Sequence, residues 1–417
     1  MKIQNLRREK HGNRERILAD ITWEESERAG SSVFFETDQQ FAAALACNPH
    51  PFLVGCLLPA MHHKERRIHL EGEICPELRR NLHVAMSWIR HWYYEPDFPL
   101  VTIEAPIRSS PTTPPIPERT GCFLSGGVDG FATLHANHLS YPKSHPEAIR
   151  DGLLIHGQNI ESDTSPQTFQ DACLTLADVV RELNVTLRPV YTNIRLVDDD
   201  RFMFSINHGA ILGAVAHAFA NRLTTMYISG SDSITTLSLV GRDICKPHGS
   251  HPLLDPLYSS HDLDIKHDGI TTSRLDKVRQ ISEWDAALQN IKVCGPNWPG
   301  ENCCRCEKCV RTMLELLAVG ALHKTRAFSR NDVTAEAIAR LRIKKPAFGY
   351  TVDDDYLELI EPLQRIGRED LGRAIKSMIH QSRSSATSLG QTLRMLKSLW
   401  VNGKIEGPRG RSVKQMS

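Results

Sequence analysis

The sequence predicts an α/β protein built on a parallel sheet with helices on both faces. After residue 119, short apolar runs typical of strands alternate with segments of helical periodicity. Polar clusters follow the predicted strands, in the order SGGVD, HGQN, TN and SGSDS. Because such alternation implies right-handed crossovers, these clusters should meet at the carboxyl ends of the strands, where parallel sheets bind ligands.

Composition and charge are those of an ordinary globular protein. Hydrophobic residues make up 41% and charged residues 24% of the 417 residues, and the formal net charge is +1. So small a charge argues against binding nucleic acid through bulk electrostatics, and nucleic acid is not an expected partner. The charged N-terminus lacks the apolar core of a signal peptide, and the most apolar window, residues 210–219, is too short to span a membrane. We therefore expect a cytoplasmic protein with no membrane partner.

Three units are predicted along the chain, with a boundary in the Pro- and Ser/Thr-rich segment at residues 107–120. Residues 1–112 should form a mixed α/β N-terminal domain, in which SSVFFET and PFLVGCLLP are predicted strands. Residues 113–325 should form the parallel-sheet domain, and residues 326–417 a helical region with a basic tail. A mobile solvated tail is favoured over one that contacts RNA or an acidic partner.

The turn between the first predicted strand and the first predicted helix of the second unit is the first candidate site. This glycine turn consists of Ser125, Gly126, Gly127, Val128, Asp129 and Gly130. A strand that turns through glycines into a helix exposes backbone N–H groups beside the positive end of the helix dipole, which favours an anion such as phosphate. The acid, Asp129, suggests either a Mg²⁺ bridge to that phosphate or a structural bond within the turn.

The glycine turn resembles the SGGxDS loop of the PP-loop ATP pyrophosphatases, and it is neither a Walker loop nor a GxGxxG fingerprint. The resemblance implies a HUP-type, Rossmann-like fold and ATP cleavage between the α- and β-phosphates, with transfer of AMP to a substrate oxygen. Gly130 stands where that family has Ser or Thr. Either a neighbouring hydroxyl such as that of Thr133 substitutes, or ATP is still bound and its hydrolysis is weakened.

A cysteine knuckle, Cys294, Cys303, Cys306 and Cys309, is the second strong motif among eleven cysteines. Four thiolates at this spacing can wrap one Zn²⁺ and leave no position for a catalytic water, so the site should be structural. An iron–sulfur cluster is the weaker alternative. Cys304 is expected to be a spare thiol, with replacement of Cys303 as a ligand the less favoured alternative. The spacing is similar to that of 7-cyano-7-deazaguanine synthase, and the resemblance covers residues 119–325.

That resemblance implies an ATP-dependent, AMP-forming ligase. The family activates 7-carboxy-7-deazaguanine with ATP, forms an amide with ammonia, and dehydrates the amide to a nitrile with a second ATP. Diverged relatives in antiviral defence systems join the activated deazaguanine to a protein amine. The expected partners are therefore ATP with Mg²⁺, a 7-deazaguanine-type molecule, an amine or protein acceptor, and a second copy of the chain in a homodimer.

Weaker signals surround these motifs. Asp232 could contact a guanine-like edge or ammonia, with a helix N-cap as the alternative. Arg274 and Lys277, with Arg311, could neutralise phosphate or carboxylate, although Lys and Arg on helices are usually only solvated. Residues 247–269, rich in His and Asp, are expected to form a substrate-contacting or structural loop rather than a second metal site.

Two other functions stay open at this stage. One is tRNA thiolation, which requires a reactive thiol of low pKa, with Cys122, Cys173 and Cys304 as the candidates. The other is a non-catalytic module that binds a nucleotide without turnover. Trp284 and Trp298 could stack on a purine, with core packing as the ordinary alternative.

Overall fold

The computed structural model describes residues 1–109, 117–157, 166–237, 247–295, 297, 300–341 and 352–382. These residues form an α/β structure around a ten-stranded sheet in which most neighbouring strands are parallel. The predicted fold class is confirmed at this level. Predicted features outside the described residues are Trp298, the basic tail beyond residue 382, and the Gln158 and Asn159 of the HGQN cluster.

The sheet has the strand order β10-β9-β6-β7-β8-β3-β2-β1-β4-β5. Its strands are β1 (Lys2–His11), β2 (Arg14–Thr22), β3 (Ser31–Asp38), β4 (Arg67–Leu70), β5 (Thr102–Glu104), β6 (Thr120–Phe123), β7 (Ile149–His156), β8 (Thr186–Thr192), β9 (Thr225–Ser229) and β10 (Asp264–Asp268). Strands β6 to β10 are parallel to one another, so their carboxyl ends lie at one edge, as the alternation of strands and helices predicts.

The described α-helices include α1 (His50–His62), α2 (Pro76–Tyr93), α3 (Val128–Ser140), α4 (Pro166–Arg181), α5 (Arg201–Ile206), α6 (His208–Ala218), α7 (Arg274–Ile281), α8 (Asp285–Asn290), α9 (Glu307–Ala318), α10 (Ala335–Ala339), α11 (Val352–Leu357) and α12 (Ile360–Arg365). A further helical segment covers residues 369–382. Short 3₁₀ helices occur at Gln39–Ala44, Ile194–Val197, Asp255–Tyr258 and Leu322–Lys324. The described part of the C-terminal region is thus helical, as its pattern predicts.

One strand prediction is wrong. The run PFLVGCLLP belongs to helix α1, in which almost every residue is buried. A short apolar run without alternation fits a buried helix as well as a buried strand, so its periodicity could not separate the two. Packing separates them: a methyl group at Gly55 would lie 2.6 Å from Ile194 Cδ1 and 3.3 Å from Ala214 Cβ of α6. The absence of a side chain lets α1 pack closely against its neighbours.

The first unit and the second share the sheet. Strand β3 pairs antiparallel with β8, with Phe35 opposite Thr192 and Glu36 opposite Tyr191. The Thr37 hydroxyl also donates to the Pro189 carbonyl oxygen at 2.6 Å. The predicted boundary at residue 112 falls in residues 110–116, outside the described residues. The strands before this segment and the strands after it belong to the same sheet.

Other elements of the fold pack against both faces of the sheet. Neighbouring side chains of a strand point to opposite faces. Asp268 of β10 accepts a hydrogen bond from Thr133 of α3 at 2.7 Å, whereas the preceding residue, His267, contacts Asp255 on the other side at 2.7 Å. Over the residues that the structure describes, no helix combines the length and the apolar character that a membrane crossing requires.

Candidate functional site

The glycine turn follows β6 directly and leads into α3. Gly126 has a φ of +77°, a left-handed conformation that favours glycine. A methyl group there would also lie 3.2 Å from Leu176 Cδ2 and 3.3 Å from Lys292 Cβ. The Gly126 carbonyl oxygen accepts a hydrogen bond from the Lys292 N–H at 2.8 Å. Backbone conformation and packing together require glycine at this corner.

Helix α3 begins with Gly127 as its N-cap, and no side chain caps it. The first N–H groups of a helix have no partner within the helix, so this end can donate to an anion. Helix α3 is 13 residues long, which gives it a full dipole. The geometry of a strand, a glycine turn and a helix start is the one that the sequence predicts.

Thr133 does not direct its hydroxyl proton to the glycine turn. Thr133 donates its proton to Asp268, so that proton is directed away from the glycine turn. A methyl group at position 130 would lie 3.2 Å from the Phe123 carbonyl oxygen, a tight approach that requires a small shift. The suggestion that Thr133 replaces the missing hydroxyl is therefore not supported by its contacts.

A cavity of about 140 Å³ lies at the carboxyl ends of β6, β7 and β9. Ser125, Asp129, Gly130, Ser229 and His208 line it, together with apolar residues of the strands. The Oγ of Ser229 is buried and has no hydrogen-bond partner in the described residues. A buried hydroxyl without a partner is unfavourable unless a ligand or water completes it, so the cavity offers a polar contact to a bound molecule.

Asp129 is held at the cavity by two cations. Arg274 Nη1 lies 3.2 Å from both carboxylate oxygens, and Lys277 Nζ lies 3.8 Å from Oδ1. The Ser231 hydroxyl donates to Oδ2 at 3.2 Å. Burial by itself would raise the pKa of Asp129, but Arg274, Lys277 and Ser231 lower it below its usual value. The carboxylate is therefore ionised, and its side chain stays 21% exposed.

Arg274 and Lys277 are not solvated surface residues. Their side chains are only 8% and 3% exposed, and Lys277 Nζ donates to the Gly230 carbonyl oxygen at 2.8 Å. Buried cations of this kind are uncommon without partners. Both residues lie on α7 and reach the glycine turn, so the structure brings these two predicted residues together with Asp129.

A charge network continues from Arg274 into α9. Arg274 Nε donates to Glu315 Oε1 at 3.3 Å, and Arg311 forms an ion pair with Asp355. Burial raises the pKa of Glu315 to about 7, against the opposing effects of Arg274 and Arg311. Burial therefore favours the protonated form of Glu315, whereas Arg274 and Arg311 favour the ionised form.

Asp232, in the SGSDS segment after β9, is the third predicted polar residue. Burial raises its pKa to about 7, and the charges of Asp355 and Asp129 contribute in the same direction. Its Oδ1 is buried and has no hydrogen-bond partner among the residues that the structure describes. No described helix begins at Asp232, so the N-cap alternative gains no support, and its carboxyl group is available to a ligand with N–H donors.

The four predicted cysteines come together in a group that could hold a metal ion. All four Sγ atoms lie within 4.8 Å of one another. The distances from Cys303 to Cys309 and from Cys306 to Cys294 are 3.9 and 4.0 Å. Tetrahedral Zn²⁺ with sulfur bonds of about 2.3 Å places its ligands about 3.8 Å apart, so the cluster fits zinc.

Backbone donors favour the thiolate of Cys303, whereas burial raises the pKa values of Cys306 and Cys309. The Cys306 N–H donates to Cys303 Sγ at 3.3 Å. Burial opposes ionisation of Cys303, but the backbone N–H groups of Arg305 and Cys306 lower its pKa to about 6. Cys304 has a φ of +53° and places its Sγ 3.6 Å from the Asn302 carbonyl oxygen. It is outside the metal-binding group, as expected of the spare thiol.

Asn302 fixes the two halves of the cysteine knuckle. Its Oδ1 accepts hydrogen bonds from the Val293 and Cys294 N–H groups at 3.0 and 3.2 Å. Its amide nitrogen donates to the Ile291 and Ala327 carbonyl oxygens at 2.8 and 2.9 Å. Both the oxygen and the nitrogen of this buried side-chain amide therefore have hydrogen-bond partners. Sequence reasoning missed this residue, since its partners are far from it along the chain.

Helix α9 joins the cysteine knuckle to the charge network. Cys306 is its N-cap and Cys309 lies in its first turn, whereas Arg311 and Glu315 follow on the same helix. On the other side, Lys292, which bonds to Gly126, lies two residues before Cys294. A metal ion at the cysteines would therefore fix both α9 and the segment that supports the glycine turn.

The described residues contain one further group with metal-ligand geometry, His62, His63 and Asp198. His63 Nε2 already pairs with Asp198 Oδ2 at 2.8 Å, and Arg28 lies 3.9 Å from Oδ1. The carboxylate charge is thus already balanced. Residues 247–269, all described, contain no such group.

Trp284 packs in the core rather than at the cavity. Its ring stacks on His135 with centroids 5.6 Å apart, and its Nε1 donates to Glu182 at 3.1 Å. Two of the candidate thiolation cysteines are also unsuited to attack. Burial raises the pKa of Cys122, which is fully buried, and that of Cys173, which rises to about 12.

Comparison with known proteins adds no further constraint. No family model, no curated protein and no solved structure matches this chain. Function must therefore be argued from the site itself.

Proposed function

We propose that this protein is an ATP-dependent, AMP-forming ligase that adenylates a 7-deazaguanine-type carboxylate and passes it to ammonia or another amine. The observation that carries the proposal is Asp129 at the start of α3, held by Arg274 and Lys277 at the edge of the cavity. A helix N-terminus together with two buried cations favours a polyphosphate over a neutral ligand. The resemblance of the glycine turn to PP-loop enzymes selects ATP among polyphosphates.

In this proposal different residues of the chain bind the phosphates and stabilise the leaving pyrophosphate during adenylation. The N–H groups of the glycine turn and the hydroxyl of Ser125 bind the phosphates, and Arg274 and Lys277 stabilise the charge that develops on pyrophosphate as it leaves. The substrate carboxylate oxygen attacks the α-phosphorus, and the bond to the β-phosphate oxygen breaks. A cavity with apolar strand residues excludes water from the acyl adenylate.

Two metal ions fit the residues present. Asp129 keeps a partly exposed carboxylate, an oxygen ligand of the kind that Mg²⁺ prefers, and bound Mg²⁺ would neutralise part of the triphosphate charge. The cysteine knuckle fits Zn²⁺ by its thiolates and their spacing. With four protein ligands, zinc would brace α9 and take no part in the reaction.

Asp232 is proposed to recognise the guanine-like edge of the substrate. Its buried Oδ1 lacks a partner within the described part of the chain, and a guanine amidine edge presents adjacent N–H donors. Such donors bind the ionised carboxylate best, so substrate would lower the pKa of Asp232 from about 7. Substrates without this edge should bind weakly, because they leave the carboxyl group unsatisfied.

The proposal is tested by incubating the protein with ATP, Mg²⁺, 7-carboxy-7-deazaguanine and ammonium chloride. We expect AMP and pyrophosphate in equal amounts, with an amide or nitrile product identified by mass spectrometry. Benzoate serves as the carboxylate control and should give no AMP. ADP and phosphate as products, or ATP cleavage that is independent of the carboxylate, would rule out this ligase.

A nucleotide-binding module without turnover is the second candidate. One observation favours it: Gly130 lacks the hydroxyl of related loops, and Thr133 directs its proton to Asp268 instead. Equilibrium dialysis with ATP, run beside the AMP assay, separates the two. Tight ATP binding with no AMP from any substrate would identify the module. Thiolation is the less favoured reading, because Cys122 and Cys173 have raised pKa values.

A further inference from the structure

The His-rich segment at residues 247–269 is folded around one buried carboxylate. Asp255 is fully buried, and its Oδ2 accepts a hydrogen bond from the Ser250 hydroxyl at 2.8 Å and contacts His267 Nδ1 at 2.7 Å. Its Oδ1 accepts from the His251 N–H at 3.3 Å. A carboxylate with this many partners fixes the conformation of the segment.

The segment is fixed against the start of α6 by two glycines. Gly209 N–H donates to the Gly249 carbonyl oxygen at 3.2 Å, and Gly249 N–H donates to the Ser205 carbonyl oxygen at 3.0 Å. A methyl group at Gly209 would overlap Asp255 Oδ1, and one at Gly249 would overlap the Ile206 carbonyl. Two backbones approach this closely only where neither has a side chain.

This approach places His248 against His208, the first residue of α6. Their ring centroids are 5.2 Å apart with an interplanar angle of 58°. The rings of Phe204 and His208 are nearly perpendicular, with centroids 6.1 Å apart. The Nδ1 of His248 accepts from the Ser250 N–H at 3.2 Å, which fixes that ring in turn. His208 lines the same cavity as Ser125 and Asp129. Its imidazole is therefore a polar group positioned on a wall of the proposed adenylation site.

We infer that His208 is the catalytic residue that accepts the proton of the amine when the amine attacks the acyl adenylate. This inference rests on the proposed function. It assigns His208 to the second step, amine transfer, and leaves adenylation to the glycine turn and the two cations of α7. The geometry favours this division, because His208 reaches the cavity from α6, a different helix from α7, which carries Arg274 and Lys277.

Atoms and charge are conserved when the amine displaces AMP from the acyl adenylate. The ammonia nitrogen forms a bond to the acyl carbon with its lone pair, and the bond from that carbon to the phosphate oxygen of AMP breaks. AMP leaves with the bonding electrons, and an imidazole nitrogen of His208 takes one proton from the nitrogen. The products are the amide, AMP and a protonated imidazole, which returns its proton to solvent.

The protonation state of His208 suits this role. Burial, together with the neighbouring His248 and Lys308, lowers its pKa to about 3. The ring is therefore neutral at pH 7 and keeps a lone pair for the proton. The nitrogen becomes strongly acidic once it has bonded to the acyl carbon, so a weakly basic imidazole is sufficient at that point. A cationic ring would accept nothing and would repel an ammonium ion.

The test separates the two steps on the full-length protein. Adenylation is followed by carboxylate-dependent exchange of labelled pyrophosphate into ATP, with 7-carboxy-7-deazaguanine as the probe. Transfer is followed by amide formation with ammonium chloride in a single turnover. We expect His208→Gln to keep exchange within about threefold of wild type and to lose about 100-fold or more in transfer, the usual contribution of a general base. His91→Gln, an exposed residue of α2, is the matched control and should change neither rate.

Chemical rescue distinguishes catalysis from a structural role. His208→Ala should lose transfer like His208→Gln and regain it in part when imidazole is added, since free imidazole can take the proton in its place. Transfer at the wild-type rate in either variant, or equal loss of exchange and transfer without rescue, would overturn the role of His208. A wild-type protein with no exchange at all would instead remove the proposed function, and this inference with it.

Discussion

The guanidinium of Arg274 contacts both carboxylate oxygens of Asp129, with Nη1 at 3.2 Å from each. The contact joins α7 to the first turn of α3, across 145 residues of sequence. Arg274 also donates to Glu315 of α9, so one side chain connects three helices. The orientation of the carboxylate at the cavity thus depends on residues that are distant along the chain.

Replacing Arg274 with Gln should destabilise the protein by about 3 kcal/mol, because it leaves the buried charge of Asp129 without its main partner. It should also weaken ATP binding at least tenfold. Urea unfolding and ATP titration measure the two effects. Arg279→Gln is the control on the same helix: Arg279 is 53% exposed and pairs with Asp276, which is equally exposed, so its loss should change stability by no more than about 0.5 kcal/mol. Equal effects of the two substitutions would contradict the assignment of Arg274.

Gly126→Ala should destabilise the protein more than its backbone conformation alone explains. A left-handed φ for alanine costs about 1 kcal/mol, and the added methyl group would also press on Leu176 and Lys292. Gly320→Ala isolates the first effect, since Gly320 has a φ of +70° and a methyl group there meets no described atom within 4 Å. We expect ATP affinity to fall only in Gly126→Ala. Similar unfolding midpoints for the two variants would show that the contact at Gly126 is unimportant.

Loss of the metal ion from the cysteine knuckle should weaken ATP binding at the cavity. The purified protein should contain one zinc ion per chain by elemental analysis, and Cys306→Ser should remove it, because three thiolates bind zinc more weakly than four. Since a bound metal ion would fix the start of α9, which carries Arg311 and Glu315 of the charge network, the variant should also bind ATP more weakly. Cys304→Ser is the matched control and should keep the ion, as Cys304 lies outside the group. A variant Cys306→Ser with full zinc content would exclude this ligand set, and iron with inorganic sulfide would indicate a cluster instead.

Glu315 should give the protein a measurable dependence of stability on pH. Its pKa is raised to about 7 in the folded state, so the folded protein binds a proton that the unfolded chain releases between about pH 4.5 and 7. Its contribution is therefore present at low pH and is lost as the pH rises through 7. Glu315→Gln, which cannot ionise, should flatten the fall in unfolding free energy between about pH 4.5 and 7. The exposed Glu361→Gln should leave that fall unchanged, and an unaltered slope in Glu315→Gln would argue that Glu315 is ionised throughout.

The parts of the site that the sequence predicts are contiguous. The glycine turn and the cysteine knuckle each lie within a short segment, so residue types and spacing identify them without the fold. Arg274 and Lys277 could be named as candidates, but only the packing of α7 on α3 and α9 buries them. Thr133 is near Gly130 along the chain, but its hydrogen bond is to Asp268, which is 135 residues away in the sequence.

Other features required the tertiary structure. Asn302 and Asp355 act through partners that sequence patterns do not connect, such as Arg311, which is 44 residues from Asp355. A signal existed for Glu315, an acid within the apolar run MLELLA of α9, where a buried charge needs a partner. The wrong strand prediction at α1 has a similar origin, because an apolar run without alternation does not indicate which elements pack against it.

The pairing of β3 with β8 constrains how this chain can be divided. Separating residues 1–109 from the remainder would leave both strands as unprotected edges, and the faces of α1 and α6 around Gly55 would be uncovered. Open edges recruit foreign strands, so each half produced alone should aggregate. Co-expression of the two halves should instead yield a soluble complex, since complementary edges would anneal. The N-terminal portion is in this sense a structural half of the ten-stranded sheet and cannot be exchanged like an appended module.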